Sequence, residues 1–385
     1  MKHYMAGLSL VAGSVVAIST AQADFAIGNV NIGIKPRLTG GAMYYNYTQP
    51  TVGVEQAQVQ QSTAELQENI DGILSQFGLQ PIASEADFTV SLDKPFEVTT
   101  WLPTIGGGAT FFVDRFFIDA SAQHAFKTSD TASQPLASAN ALFSQGVDPA
   151  TGTRFDLGAS QFARLNENFD VDIDRTEWSI SAGYSITDSF SVYAGYKRAE
   201  TTFEQQGKET TVRRQTSVTV QAFDADGNPI VDPQTGIALS VGGTTVDTLT
   251  VSRDIERDFE YDGPFIGAVY GLPISKGLFD GVLALNLAVA FLDGEITETE
   301  RNAKINGELQ PSVKSVIKGD STGLTLGLSW NGATPVKGLS YVVGIDGYKY
   351  DFNGDKVELQ GQTIPIDTRF DETVINLRVG ASYTF

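Results

Sequence analysis

Apolar and polar residues alternate with a period of two along much of this chain, the pattern of β-strands with one greasy and one polar face. The alternation is clearest at the end. Thr373, Ile375, Leu377, Val379, Ala381, Tyr383 and Phe385 fall on one face, and Glu372, Val374, Asn376, Arg378, Gly380, Ser382 and Thr384 on the other. Leu283, Leu285, Leu287, Val289 and Phe291 are as regular, with Ala284, Asn286, Ala288 and Ala290 between them. A segment near 31–47 sets Ile34, Pro36, Leu38, Ala42 and Tyr44 against Lys35, Arg37 and Thr39. Others lie near 97–113 (Trp101, Ile105, Ala109 and Phe111 on one face), 116–126, 171–186 (Trp178, Ile180, Ala182 and Tyr184), 190–203 and 257–272. Two more carry Leu324, Leu326, Leu328 and Trp330, and span 339–352. Faces are ambiguous around Gly263-Pro264, and 339–352 reads as slipping phase near Asp346-Gly347, the mark of a bulge.

The connections sort into two kinds. Short ones, at 114–115, 187–189, 273–280 and 331–338, alternate with long ones near 48–96, 127–170, 204–256, 297–319 and 353–369. A soluble sandwich has no reason to keep its short links at one end. With a last strand that alternates up to a terminal phenylalanine, the chain resembles a bacterial outer-membrane β-barrel. That resemblance implies an all-β fold, a transmembrane antiparallel β-barrel with short periplasmic turns and long extracellular loops. The segments number about ten, an even count that returns the chain to the side where it began. The third long loop contains a hairpin, 216–223 and 237–241 about a turn at Asp224-Ala225-Asp226-Gly227-Asn228-Pro229. Were it a spanning pair, the count would be twelve.

The start of the chain agrees. Lys2 and His3 precede an apolar run over 6–18 and an A-x-A site, Ala21-Gln22-Ala23. The expectation is a cleaved signal peptide at 1–23 and one barrel domain from Asp24 to Phe385. With no Cys, lipoprotein anchoring, disulfides and thiol chemistry are excluded. No later apolar run approaches the roughly 18 residues of a spanning helix. The net charge of −20, which becomes −21 without Lys2, argues against nucleic acid as a partner. The expected partners are outer-membrane lipid and lipopolysaccharide, with small solutes or divalent cations; no cofactor is called for.

Candidate chemistry is sparse. Beyond the leader the one histidine is His124, whose phase puts it with the lipid-facing set near Phe126 and without a Ser beside it. A general base must reach its proton, and the expectation is a protein that is not an enzyme. Asp224, Asp226, Asn228 and Asp232 have the spacing of the first half of an EF-hand-like loop. Pro229 replaces the turn glycine, however, and Thr235 the bidentate Glu. Turn geometry explains these residues as well. Segment 54–77 places Val59, Leu66, Ile70, Ile73 and Phe77 at helical spacing, an amphipathic helix suited to cover or narrow the mouth.

Phase also turns Lys35, Arg37, Asp119, Glu177, Lys197, Asp346 and Arg378 into the lumen, with Arg378 expected beside Lys35 and Arg37 once the barrel closes. Eight strands give a filled interior and sixteen an aqueous channel, so ten lies near the filled end. Three functions follow. The first is a narrow channel or solute-uptake pore lined by those seven residues. The second is a non-conducting surface barrel whose acidic loops bind a partner or cations. The third is an outer-membrane hydrolase, weakened by the lack of histidine.

Overall fold

The computed structural model describes residues 25–27, 30–49, 78–92, 95–234, 237–238, 240–275 and 280–385, together with 63, 67–68, 71–72 and 74–75. The expected signal peptide and Val59, Leu66, Ile70, Ile73 and Phe77 of the expected loop helix lie outside the described residues. Within that segment Thr63, Gln67, Glu68, Asp71, Gly72, Leu74 and Ser75 are helical.

In chain order, β1 (Phe25–Ile27) folds back on β2 (Val30–Gln49), and β3 (Gln80–Leu92) is followed at once by β4 (Phe96–Val113). β5 (Phe116–Val147) and β6 (Arg154–Ser185) form a long hairpin. β7 (Phe190–Gly207) and β8 (Thr210–Phe223) lead to a second hairpin with β9 (Ser240–Ile274). β10 (Gly281–Ile305) and the two-residue β11 (Glu308–Leu309) precede β12 (Val313–Ala333), β13 (Leu339–Leu359) and β14 (Gln362–Tyr383).

Ten of these close a ring. β2, β4, β5, β6, β7, β9, β10, β12, β13 and β14 pair in that order, and β14 pairs back to β2 from Asp371↔Thr48 to Ser382↔Arg37. Closure leaves no ladder edge facing hydrocarbon, where an unpaired backbone group would cost several kcal/mol. β8 is not a further spanning strand. After Lys208-Glu209 it takes over the neighbours of β7, pairing with the upper parts of β6 and β9. β3 likewise pairs with the upper part of β5. The barrel therefore has ten strands, and the hairpin weighed as an eleventh and twelfth stands above it.

The segments expected as long loops are largely strand. Between β5 and β6 only 148–153 is a turn, and each strand is 32 residues long. At ~3.3 Å per residue each extends about 100 Å, whereas crossing the bilayer takes about ten residues. The excess builds an extension beyond the membrane, on the side opposite the short turns.

One level along the wall organises the whole molecule. Below it the outward positions are apolar and the inward ones polar. β10 points Leu285, Leu287 and Phe291 outward, and β14 points Leu377 and Val379 outward with Arg378 inward. Above it, strand phase is unchanged but polarity reverses. On β2 Tyr45 and Tyr47 turn in while Asn46 and Thr48 turn out; on β13 Tyr348, Tyr350 and Phe352 turn in while Lys349 and Asp351 turn out. On β6 Phe169, Val171 and Ile173 are buried while Asp170, Asp172 and Asp174 face outward. The switch marks where the outer wall passes from hydrocarbon to water. Exposed aromatics gather there, with Tyr44 against Trp101 and Trp178 against Tyr196. A second group, Phe111, Phe116, Tyr184, Tyr270 and Tyr383, rings the short-turn end. Two aromatic girdles bounding an apolar band are the wall of a transmembrane barrel.

This reversal corrects the expected bulge. Register runs unbroken through Asp346↔Asn376 and Gly347↔Ile375, and the irregularity lies higher, between Gly354 and Lys356. What looked like a phase slip at Asp346-Gly347 is the change of solvent outside an unbroken strand. The ambiguity at Gly263-Pro264 has the same cause.

The closing seam gives a test. A Cβ on Gly41 would overlap the Leu377 carbonyl oxygen across the β2–β14 seam, whereas nothing lies within 4 Å of one on Gly243 in the extension. Gly41→Ala is expected to cost more than ~3 kcal/mol, the upper range for overpacking, and to abolish the compact form seen as heat-modifiable migration on gels. Gly243→Ala should leave that form unchanged.

Candidate functional site

The barrel interior is a stack of paired polar groups beneath a layer of aromatic rings. Nearest the short-turn end, Arg37 donates to both carboxylate oxygens of Asp119 at 2.6 and 2.8 Å, and Thr110 donates to the same carboxylate at 2.6 Å. Two parallel bonds from a guanidinium are the strong geometry for this pair. Arg378 pairs with Asp346 at 2.9 Å. Gln123 and Asn376 exchange amide hydrogen bonds of 3.0 and 3.2 Å across the lumen. Lys35 is buried in this lower part, with no carboxylate partner among the described residues.

The next level is centred on Arg175, fully buried. Its guanidinium donates to Glu177 at 2.5 and 3.0 Å, to Thr201 at 2.6 Å and to Glu372 on the far wall. Lys197 donates to the Tyr350 hydroxyl, and its ammonium lies 5.0 and 4.8 Å from the ring centres of Tyr348 and Tyr350. Two cations thus meet two carboxylates, which is what burial of charge requires. A cavity of about 40 Å³ lies beside Glu177, Tyr193, Lys197 and Asn286, room for a few waters.

Above this the lumen is closed by hydrocarbon. Tyr47 touches the rings of Phe96, Phe203, Phe259 and Phe370 at centroid distances of 5.2–6.2 Å. Tyr45, Phe352, Tyr261, Tyr350 and Tyr348 continue the contact network. Tyr45, Tyr47, Phe96, Phe203, Phe259, Tyr261, Tyr350 and Phe352 are each less than 2% exposed. Each ring pair adds about 0.5–1.5 kcal/mol beyond its area burial. Arg257 lies over Phe96 and donates to Glu298 at 2.5 Å. Higher still, Arg253 joins three strands by pairing with Glu167 at 2.6 Å and Glu300 at 3.0 Å. In the extension, Leu74 of the helical segment is buried and Ser144 donates to Asp71 at 2.9 Å, so this segment packs on the upper part of β5.

All seven lumen residues expected from phase do point inward, but not as one cluster. Arg37 takes Asp119, Arg378 takes Asp346, and Lys197 stands with Glu177 at the level of Arg175. The expected neighbourhood of Arg378 is corrected. Barrel shear pairs Arg378 with Gly41 and brings Ser382 opposite Arg37. His124 lies on the outer wall, bonded to Thr176 at 3.0 Å and edge-on to Phe126.

The residues with EF-hand-like spacing lie in turns. The Asp224 carboxylate accepts the backbone N–H groups of Asp226 and Asn228 at 3.0 and 2.8 Å, which holds its pKa below the usual value, while Asp232 accepts that of Gln234 at 2.9 Å. Among the described residues no three acidic or histidine side chains are grouped to hold a metal ion. The aromatic layer and the part played by Glu372 escaped the sequence reading. The signal was there: Tyr45 and Tyr47 continue the phase of Arg37, Phe203 that of Lys197, and Phe370 that of Arg378.

No protein-family model matches the chain, and no curated protein matches it in sequence. Among solved structures it is similar to the outer membrane protease OmpT of Escherichia coli, at 8% identity over 92% of this chain and 97% of that one, with a TM-score of 0.44. A mutant of the monoaromatic hydrocarbon channel TodX matches at 10% identity over 92% and 91%, TM-score 0.27. A Pseudomonas aeruginosa FadL homologue matches at 9% over 91% and 90%, TM-score 0.21. These likenesses are too distant to carry function, and the fold rests on strand pairing. The closed ring, apolar band and paired girdles make this chain a transmembrane β-barrel of the outer-membrane type.

Removing Arg175 alone leaves Glu177 and Glu372 buried without their cation. Arg175→Met is expected to cost about 3–5 kcal/mol in urea unfolding of the refolded barrel, the loss seen when one partner of a buried pair is removed. Arg175→Met with Glu177→Gln, Glu372→Gln and Lys197→Met, which removes both cations along with both carboxylates, should recover most of that loss.

Proposed function

We propose that this protein is a surface barrel whose lumen is closed at rest and whose working part is the extracellular extension, where acidic turns and strands meet a partner. One observation carries the reading: the ring network around Tyr47 spans the interior with side chains no more than 3% exposed. A barrel of this strand number has room for its own side chains and little else. Planar-bilayer recording of the refolded protein should therefore show no discrete current steps at any salt concentration. Tyr47→Ala combined with Phe259→Ala and Phe370→Ala, which empties the centre of the ring layer, should introduce them.

A second reading, a narrow channel or solute-uptake pore, is favoured by the polar groups beneath the rings. Arg37, Asp346, Arg378, Glu177 and Lys197 occupy successive levels, and a small cavity adjoins the last two. Here the aromatic layer would be a gate. Discrete steps from the unaltered protein, with an ion selectivity that Asp346→Asn changes, would carry this reading over the first.

A further inference from the structure

Above the membrane, β3, β5, β6, β8 and β9 make an open sheet. One margin of it is the first part of β9. From Ser240 to Leu249 this strand pairs with β8 on one side. On its other side β10 reaches it only at Val251, and Asn306 caps the last turn by exchanging bonds of 2.8 and 2.9 Å with Thr250. Among the described residues no strand covers the remaining edge, and Gly242 to Thr248 are all exposed.

Natural edges are blunted by Lys, Pro or bulges. This one, Ser240-Val241-Gly242-Gly243-Thr244-Thr245-Val246-Asp247-Thr248-Leu249, carries no Lys or Pro, and its register with β8 is unbroken. Its lone charge, Asp247, is paired with Arg214 at 3.1 Å. Glycine within a strand allows a second backbone to come close, and the space around a Gly243 Cβ is empty.

Resting on the reading that the extension is the working surface, we propose that this margin is a docking edge that takes an extended, Lys/Arg-bearing segment of another protein as an added strand. Main-chain bonds would supply affinity and alternate side chains specificity. Charge selects the occupant. Residues 208–256 hold seven Asp or Glu against four Lys or Arg, and the whole chain carries −20, so a basic strand gains and an acidic one loses. A second copy is equally acidic. Two copies in one membrane also run β9 towards the bilayer together, so their edges could meet only in the less stable parallel sense.

The test uses the full chain refolded in detergent micelles and fluorescent peptides of about ten residues, the length of the edge. One alternates Lys with Thr and Val, a second is the same peptide N-methylated at every other residue, and a third has Glu for Lys. Binding of the first, weakened at least tenfold by N-methylation, by Glu and by Thr244→Lys with Val246→Lys in the protein, is the expected result. Equal binding of the N-methylated peptide would mean charge attraction without strand addition, and would overturn the proposal while leaving the surface reading intact. No binding at millimolar peptide, equal binding of the Glu peptide, or self-association abolished by the same Lys substitutions would also overturn it. The N-methyl comparison needs no protein variant, so misfolding cannot obscure it. Bilayer current from the unaltered protein would strike the closed-lumen reading and not this one.

Discussion

The outer wall of this barrel meets two solvents, and the level at which one gives way to the other governs the rest. Below it a strand lowers its free energy by sending Leu, Val and Phe outward into lipid. Its polar side chains are then confined to a lumen too narrow for bulk water. Above it the same strand, with the same alternation of side-chain direction, meets water outside and gains by burying its rings. Backbone hydrogen bonding stays constant through the change. The molecule is thus an inside-out barrel continuous with a right-side-out one.

The interior follows from that arrangement. Confined polar groups gain from being matched, and many are: Arg37 with Asp119, Arg378 with Asp346, Arg175 with two glutamates, Gln123 with Asn376. Such pairs add less stability than their number suggests, because desolvation offsets most of the attraction. They fix which residues face one another across the lumen. Stability in the upper half comes instead from the ring layer, whose contacts tie β2 to β4, β7, β9, β13 and β14.

Much of the fold was legible in the sequence because period two survives every other complication. The positions of the spanning strands, a count of about ten with twelve left open, the outward tryptophans and the inward charges follow from phase and from the sorting of short and long connections. What failed did so for one physical reason. Hydropathy was read as direction, which holds only while the outer solvent is lipid. Beyond that level the rings of Tyr348, Tyr350 and Phe352 on an inward phase look like a slipped register, and Asp258, Glu260 and Asp262 on an outward phase make the faces around Gly263-Pro264 ambiguous. Hydropathy alone therefore does not separate the strands above the membrane from long loops. Shear, a property of the closed sheet, leaves no trace in any single strand, so strand phase alone does not show that Arg378 stands opposite Gly41 and away from Arg37.

The bonds that cross the lumen bear on how the protein is made. Arg175 on β6 meets Glu372, and Gln123 on β5 meets Asn376, both partners on the last strand. Until β14 arrives, an arginine and an amide from the first half of the chain face an unfinished interior and keep their water. Dehydration of the core therefore waits for the final strand. The strand that seals the wall also completes the hydrogen bonding within, so a barrel that closes in the wrong register is left with charges it cannot neutralise.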